Sequence, residues 1–461
     1  MESKKIAILI LAAGEGTRMK SKTPKVLQPI MGKPMLSYVL KTARDIQPEK
    51  IVVVVGHGQD KVVKVLDGGT FTSVVQEEQL GTGHAVLCAA DILAQGGNPL
   101  VVLYGDNPFI RATTIDKLVN TFLENKAAAS ILTVEAADPK GYGRVIKSDA
   151  GMINKIIEEK DASVEQRKIK EVNAGSYCFD SQKLFKALES LEPNNNQKEI
   201  YLTDVIEKFV LAGENVVPVK AEFQWETMGV DSREKLAQAN AILRDQINKR
   251  LMAEGVMITD PSTTWIDNEA KIGNDTTILP FTFIQGKTEI GQDCKIGPNV
   301  IIENSKLGNE CSVVFSVIKE SKIGNNVQLG PFCSIRKDTQ AEDFSKIGTF
   351  VEIKKSKVGK KSKVPHLSYI GDAEIGYDVN IGAGSITCNY DGVNKNQTII
   401  EDGAFIGSDT LFVAPVKVGR GAVTGAGSVV KNDIGTDEIV AGVPARHIKR
   451  KNVKEKSGSN D

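Results

Sequence analysis

The string Leu11-Ala12-Ala13-Gly14-Glu15-Gly16-Thr17-Arg18 follows a short aliphatic run, and Pro24-Lys25 comes soon after it. Two glycines among small neighbours let backbone N–H groups approach a phosphate chain, while Arg18 and Lys25 supply positive charge. The loop lacks the third glycine of the dinucleotide fingerprint and the Gly-Lys-Ser/Thr ending of a P-loop, so neither of those readings fits. Gln76 and the string Gln79-Leu80-Gly81-Thr82-Gly83-His84 form a second small, polar loop ahead of a helical pattern, suited to hold a base edge. Tyr104-Gly105-Asp106 ends another aliphatic run with a carboxylate. Magnesium takes one or two carboxylates together with substrate phosphates. Asp106 is therefore one expected ligand, and Asp231, in Gly229-Val230-Asp231, is the second. The plainer roles are a surface turn for Asp106 and the N-cap of the next helix for Asp231.

A second constellation lies in the other half of the chain. Of four histidines, His57 and His84 belong to the first half and His447 to the end, whereas His366 stands alone in Lys363-Val364-Pro365-His366-Leu367-Ser368-Tyr369. Arg336, Lys354 and Lys355 recur near the eighteen-residue length of one coil of a β-helix, and they are expected to stack on one face with the neighbourhood of His366. Like charges stacked in this way repel unless an anion sits between them, which points to a phosphate site. The plainer readings are a solvated basic edge and a surface histidine.

The elements that must carry these residues are legible in the periodicity. From Ile266 an aliphatic residue returns every sixth position through Ile272, Ile278, Ile284, Ile290, Ile296 and Ile302. After a slip the ladder resumes at Ile323, Leu329, Ile335, Ile347, Ile353, Val364, Ile370, Ile375, Ile381, Ile406 and Val418. A period of six belongs to neither a helix nor a strand. It marks a chain that turns a corner every six residues, so that three short strands make one triangular coil of a parallel β-helix. Glycine often follows the rung, as at Gly273 and Gly291, where a corner has no room for a Cβ. The run Gly384 to Thr398 breaks the ladder and must project as a loop, the usual place for binding groups on a rigid scaffold.

Residues 1–230 read instead as α/β, with buried strands at Ile6–Leu11, Ile51–Val55 and Leu100–Tyr104 and helical patterns at Met35–Arg44 and Ala85–Leu93. Such alternation implies a largely parallel sheet with ligands at the strand carboxyl ends. Lysines followed by Ile6–Leu11 mimic a signal peptide, but no mature start follows, so the segment is expected to be a buried strand. A helix is expected at 231–254, with the stripe Leu236, Ala239, Leu243, Ile247 and Leu251, then the β-helix at 255–448 and a disordered tail at 449–461. The 58 basic and 58 acidic residues cancel, which argues against a nucleic-acid partner. No apolar stretch approaches a membrane span, and no membrane partner is expected. The six scattered cysteines lack any CxxC pair and read as reduced thiols of a cytoplasmic protein.

The string LAAGEGTRM with SKTPKVL resembles the signature of sugar-1-phosphate nucleotidylyltransferases. Over essentially its full length the chain resembles the bacterial bifunctional N-acetylglucosamine-1-phosphate uridylyltransferase/glucosamine-1-phosphate N-acetyltransferase family. The resemblance implies a Rossmann-like nucleotidyltransferase domain, a linker helix and a left-handed parallel β-helix of hexapeptide repeats, assembled as a homotrimer. It implies uridine and metal contacts from Leu11, Ala12, Ala13, Gly14, Gln76, Gly81, Thr82, Tyr104, Gly105 and Asp106, and sugar contacts from Gly141, Glu158 and Asn173. At the second metal position the family usually carries Asn, and this chain has Asp231. The implied reaction is attack of a sugar-phosphate oxygen on the α-phosphorus of UTP, with Mg²⁺, Lys25 and Arg18 offsetting charge. On the β-helix it implies a glucosamine-1-phosphate site from Arg336, Lys354, Tyr369, Asn380 and Lys395, and an acetyl-CoA side from Ala383, Asn389, Tyr390, Ser408, Ala426 and Arg446. His366 would take the amine proton, with Glu352 to orient it. A single-activity nucleotidylyltransferase with a structural or regulatory β-helix is the other reading, and the retained Arg336, Lys354, His366, Tyr369 and Asn389 argue against it.

Overall fold

A computed structural model describes residues 6–66, 71–94, 98–193, 195 and 197–450. The expected tail from 451 onward lies outside the described residues; Lys449 and Arg450 belong to the last strand, Arg446–Arg450. The chain divides into two compact units, Met1–Ile242 and Leu243–Asp461. The division falls inside the long helix Arg233–Ala253 rather than ahead of it. Ala239, Leu243, Ile247 and Leu251 of the expected stripe are buried.

In the first unit the sheet runs in the order Val216–Lys220, Ala129–Glu135, Glu171–Asp180, Pro99–Tyr104, Ala7–Ala12, Lys50–Val55, Thr72–Val75. All neighbours in this order pair in parallel except around Glu171–Asp180, which is antiparallel to the strand on each side of it. Ala7–Ala12 is flanked on both sides, which explains its signal-like hydrophobicity: Ile8 and Ile10 face one core, and Leu9 and Leu11 face the other. A strand covered on both faces reads as a continuous apolar run. Helices Met35–Asp45 and Ala112–Glu124 carry residues of the first core. The expected helix Ala85–Leu93 is two pieces, Thr82–Leu87 and Ala90–Leu93.

The second unit is the triangular β-helix. Three parallel sheets of twelve, ten and nine short strands take every third strand of the chain in turn. Among the described strands of this unit, only the final pair, Glu438–Ala441 with Arg446–Arg450, is antiparallel. Of the rungs named above, every one is buried except Ile272, which is half-buried. At Gly273 a Cβ would meet the Gly291 carbonyl of the next coil at 2.7 Å, so close approach between coils selects glycine there. Arg244 donates to the Ser262 carbonyl at 2.6 Å, and buried Asn248 donates to the carbonyls of Pro261 and Thr264, both at 3.0 Å. These bonds seat the second half of the helix on the first coil.

Candidate functional sites

The first site gathers at the carboxyl ends of Ala7–Ala12 and Pro99–Tyr104. The backbone leaves the first strand through Ala13 and Gly14 and bends at Gly16, whose φ is 67°. A Cβ at Gly16 would lie 2.6 Å from Lys25 Cβ, so glycine is required both by backbone angle and by space. The bend brings Lys25 under the loop. Its Nζ donates to Asp106 Oδ2 at 2.5 Å, with both side chains largely shielded from solvent. Gly105 N donates to the Leu11 carbonyl at 2.9 Å, which ties the Asp106 turn to the end of the first strand, where the glycine-containing loop begins.

Two cavities adjoin here. One, of about 220 Å³, is lined by Leu11, Ala12, Ala13, Gly14, Lys25 and Gln76, with Gly81 beside them. The other, of about 300 Å³, is lined by Gly141, Glu158, Asn173 and Asp231. Thr82, Tyr104 and Asp106 belong to both walls. Polar groups are locked in place around the first cavity. Gln76, 5% exposed, donates to the Gly81 carbonyl at 3.1 Å, and Gln79 donates to the Ala13 carbonyl at 2.7 Å. In the second cavity Asn173 bonds the Tyr177 hydroxyl at 2.7 Å and the Gly175 N–H at 3.1 Å. Glu158 accepts from the Thr203 hydroxyl at 3.0 Å. Burial pushes the Glu158 carboxyl above its usual range, the Asp204 and Asp161 charges add to that, and the Thr203 bond opposes it.

Asp231 is clamped rather than capping. Its Oδ2 accepts from Arg18 at 2.5 Å and its Oδ1 from Lys235 at 3.0 Å, while Ser232 Oγ accepts from Lys235 N at 3.2 Å at the helix start. Burial tends to raise the Asp231 carboxyl, but Lys235 and Arg18 together hold it below its usual range. Lys235 is the residue that sequence reasoning missed. Its i,i+4 spacing from Asp231 is the signal that would have found it. Among the described residues no group of three or more His, Cys, Asp or Glu side chains is gathered as a metal cage.

On the β-helix the expected stacking is corrected. Register places Arg336, Lys354 and Gly371 in one outward column of the ten-strand face. His366 ends a strand of the twelve-strand face, opposite Thr349. Lys354 is seventeen residues from its column partner Gly371, so His366 falls five positions earlier, before the corner. Counting along the paired strands from His366, the same outward column holds Ala383, Ser408 and Ala426. Corner bonds link its members: Asp409 N to the Ala383 carbonyl at 2.7 Å and Gly427 N to the Ser408 carbonyl at 2.8 Å. Arg446 pairs with Ala441 at the end of this face, and Asn380 stacks on Lys363 within it.

The break in the ladder is a projecting loop, as expected, between Ile386–Cys388 and Thr398–Ile400. Tyr390 and Lys395 bridge across it, and Asn396 N donates to the Asn389 carbonyl at 2.7 Å. The loop returns Lys395 to Lys354: their close approach lowers the Lys354 ammonium below its usual value, aided by the Arg336 charge. Three cations thus crowd one spot beside Tyr369, with the exposed imidazole of His366 on the adjoining face. Glu352, expected to orient His366, instead accepts from Arg336 at 2.6 Å. Asn389 donates to Asp372 at 2.6 Å, a buried partner one coil earlier that coil counting would have reached.

Residues 8–254 match the MobA-like NTP transferase domain. Residues 269–304 match the bacterial transferase hexapeptide model of six repeats, and residues 397–432 the hexapeptide repeat of succinyl-transferase. Proteins named bifunctional protein GlmU align along nearly the whole chain. The one from Halalkalibacterium halodurans is 46% identical and covers 94% of each chain. That from a Geobacillus species is 48% identical over 96% of each. The Syntrophomonas wolfei protein is 43% identical over 97% of this chain and 100% of its own. The chain belongs to the bifunctional GlmU proteins, the uridylyltransferase/acetyltransferase family that its sequence resembles.

Proposed function

We propose that this chain makes UDP-N-acetylglucosamine in two steps, acetylating glucosamine-1-phosphate with acetyl-CoA and then joining the N-acetylated sugar phosphate to UMP from UTP. What supports the reading is that one chain carries two basic clusters of different design: Lys25 paired with Asp106, which lines both cavities, and Arg336, Lys354 and Lys395 on the face adjoining His366.

In the first unit Gln76, Gly81 and Thr82 hold the uracil edge, and the loop from Leu11 to Gly14 faces the triphosphate. Gly141, Glu158 and Asn173 hold the sugar. The sugar-phosphate oxygen attacks the α-phosphorus and pyrophosphate leaves. Lys25 and Arg18 offset the developing negative charge. Two carboxylates on one cavity wall suit magnesium, which takes its remaining oxygens from phosphates and water. Bound by Asp106 and Asp231, it would supply Lewis-acid charge to the phosphates.

On the β-helix Arg336, Lys354 and Lys395 take the sugar phosphate, with Tyr369 and Asn380 beside it. The amine nitrogen attacks the thioester carbon, an imidazole nitrogen of His366 accepts the amine proton, and the C–S bond breaks to release the thiolate. The column Ala383, Ser408, Ala426 and the flanking Asn389, Tyr390 and Arg446 form the acetyl-CoA side. We take the working form to be a homotrimer, since a site this exposed needs a second subunit to enclose it. We place it in the cytoplasm, in keeping with six unpaired thiols; no described helix is long and apolar enough to cross a membrane.

The test is to incubate the purified protein with glucosamine-1-phosphate, acetyl-CoA, UTP and Mg²⁺, leaving out one at a time. Without UTP the N-acetylated sugar phosphate should accumulate; without acetyl-CoA no N-acetylated product should form. A protein that forms the UDP-sugar only when given the N-acetylated sugar phosphate would defeat the two-step reading.

A further inference from the structure

The three cations and two carboxylates of the first site are arranged as interlocked pairs. Lys25 holds Asp106 at 2.5 Å, while Arg18 and Lys235 hold the two oxygens of Asp231 at 2.5 and 3.0 Å. Lys235 also lines the sugar cavity, and its ammonium sits 5.6 Å from the Tyr142 ring centre, next to Gly141. Each oxygen of Asp231 is therefore engaged by a cation before any ligand arrives. A carboxylate cannot give the same lone pairs to two ammonium-type donors and to a divalent ion. Equally, Arg18 and Lys235 are not at the disposal of a substrate phosphate while they are bound to Asp231.

We propose that Arg18 and Lys235 compete with the divalent cation for Asp231, so that metal arrival releases both toward the substrate phosphates. The proposal rests on the reading of Asp106 and Asp231 as the metal carboxylates, and it assigns Lys235 as a positioning residue of that site. The exchange keeps the charge balanced: the ion replaces two cations on the carboxylate, and the phosphates that come with it take up those cations. The second carboxylate of this chain thus acts as a holding point for two side chains as well as a ligand. Metal and substrate anions then bind with positive coupling, because each removes what obstructs the other.

The experiment uses Mn²⁺ alone as the probe, titrated into the full chain and read by electron paramagnetic resonance with no nucleotide present. Exposed or half-exposed ion pairs are worth up to about 1 kcal/mol, so removing one competitor should tighten Mn²⁺ by about two- to fivefold. Arg18→Gln and Lys235→Gln should each show that gain, and the double variant more. In an Asp231→Asn background, where neither cation has a carboxylate to hold, both gains should disappear. Unchanged affinity in the single variants, or equal gains in the Asp231→Asn background, would overturn the proposal while the metal site stands. If Mn²⁺ does not bind the wild type, or binds Asp106→Ala equally well, the metal reading itself falls and takes this inference with it. Circular dichroism confirms that each variant is folded, and the conservative Lys235→Arg should restore the wild-type Mn²⁺ affinity.

Discussion

Lys25 Nζ lies 2.5 Å from Oδ2 of Asp106, a residue that lines both adjoining cavities of the first unit. The pair sets a carboxylate against an ammonium in a partly desolvated place, where each can exchange its partner for a ligand of opposite sign. Lys25→Met leaves Asp106 without its cation and removes one charge from the cavity where the proposed reaction puts the phosphates. Losing a preorganised donor to a developing anion costs on the order of 10²–10³ in rate. UDP-sugar formation should fall by that factor, while acetyl transfer on the β-helix stays at the wild-type rate. A direct assay of each half-reaction measures both; equal losses in the two would mean that the variant is misfolded rather than chemically impaired.

His366 projects from the end of its strand in line with Ala383, Ser408 and Ala426. Removing a general base costs about 10²–10⁴-fold, so His366→Ala should lose acetyl transfer by that factor and keep uridylyl transfer. His366→Asn should be as poor, because it preserves polarity and size but accepts no proton near neutral pH. Rates within twofold of wild type in either variant would remove His366 from the chemistry.

Legibility differed from one part of the chain to another for physical reasons. The β-helix could be read because each rung must point inward by itself, and a six-residue period is visible without knowing any long-range pairing. The columns across coils could not be read so well. Successive coils of one face advance by 16, 18 and 17 residues from Val313 to Leu329, Ile347 and Val364. His366 lies only twelve residues after Lys354, short of the seventeen that close this coil at Gly371, so a corner separates the two side chains. Lys25 and Asp106 were recognisable by residue type and by position after a strand. Their direct pairing was not, because it depends on the bend at Gly16 and the tie of Gly105 to Leu11. Lys235 was less legible because it lies on the long helix, away from the polar loops, and joins the site only through its i,i+4 ion pair with Asp231.

Asp204 gives a pH test of the first unit. Burial, then the charges of Asp161 and Glu207, push its carboxyl up to about 6 from an ordinary carboxylate value. A raised folded pKa means that the native state binds the proton more tightly than the unfolded chain. The favourable contribution is present at low pH and is lost as pH rises from about 4 to about 6. Wild type should therefore lose stability relative to Asp204→Asn across that window, and the gap should be flat above it. Urea midpoints at pH 4.5, 5.5, 6.5 and 7.5 measure the gap; a gap that instead shrinks as pH rises would refute the assignment.

Phe315, Phe332 and Phe350 stack at one corner of the β-helix with ring centres 5.4 and 5.5 Å apart. Phe332 is 54% and Phe350 60% exposed, and Leu367, next to His366, continues the ladder at 61%. A run of exposed aromatic residues is the surface that the proposed homotrimer would bury. Phe350 has a φ of 57°, a conformation that Asp adopts more readily than Phe, and Asp338, Asp378 and Asp409 hold similar angles here. Phe350→Asp should therefore leave the single chain folded while placing a charge in the contact. Wild type should sediment at three times the mass of the chain and the variant at a lower mass. Acetyl transfer should fall together with assembly, because His366 lies on the corner that the contact would enclose, whereas uridylyl transfer, wholly within the first unit, should persist. A variant that sediments below the wild-type mass yet acetylates at full rate would show that each chain carries a complete acetyltransferase site by itself.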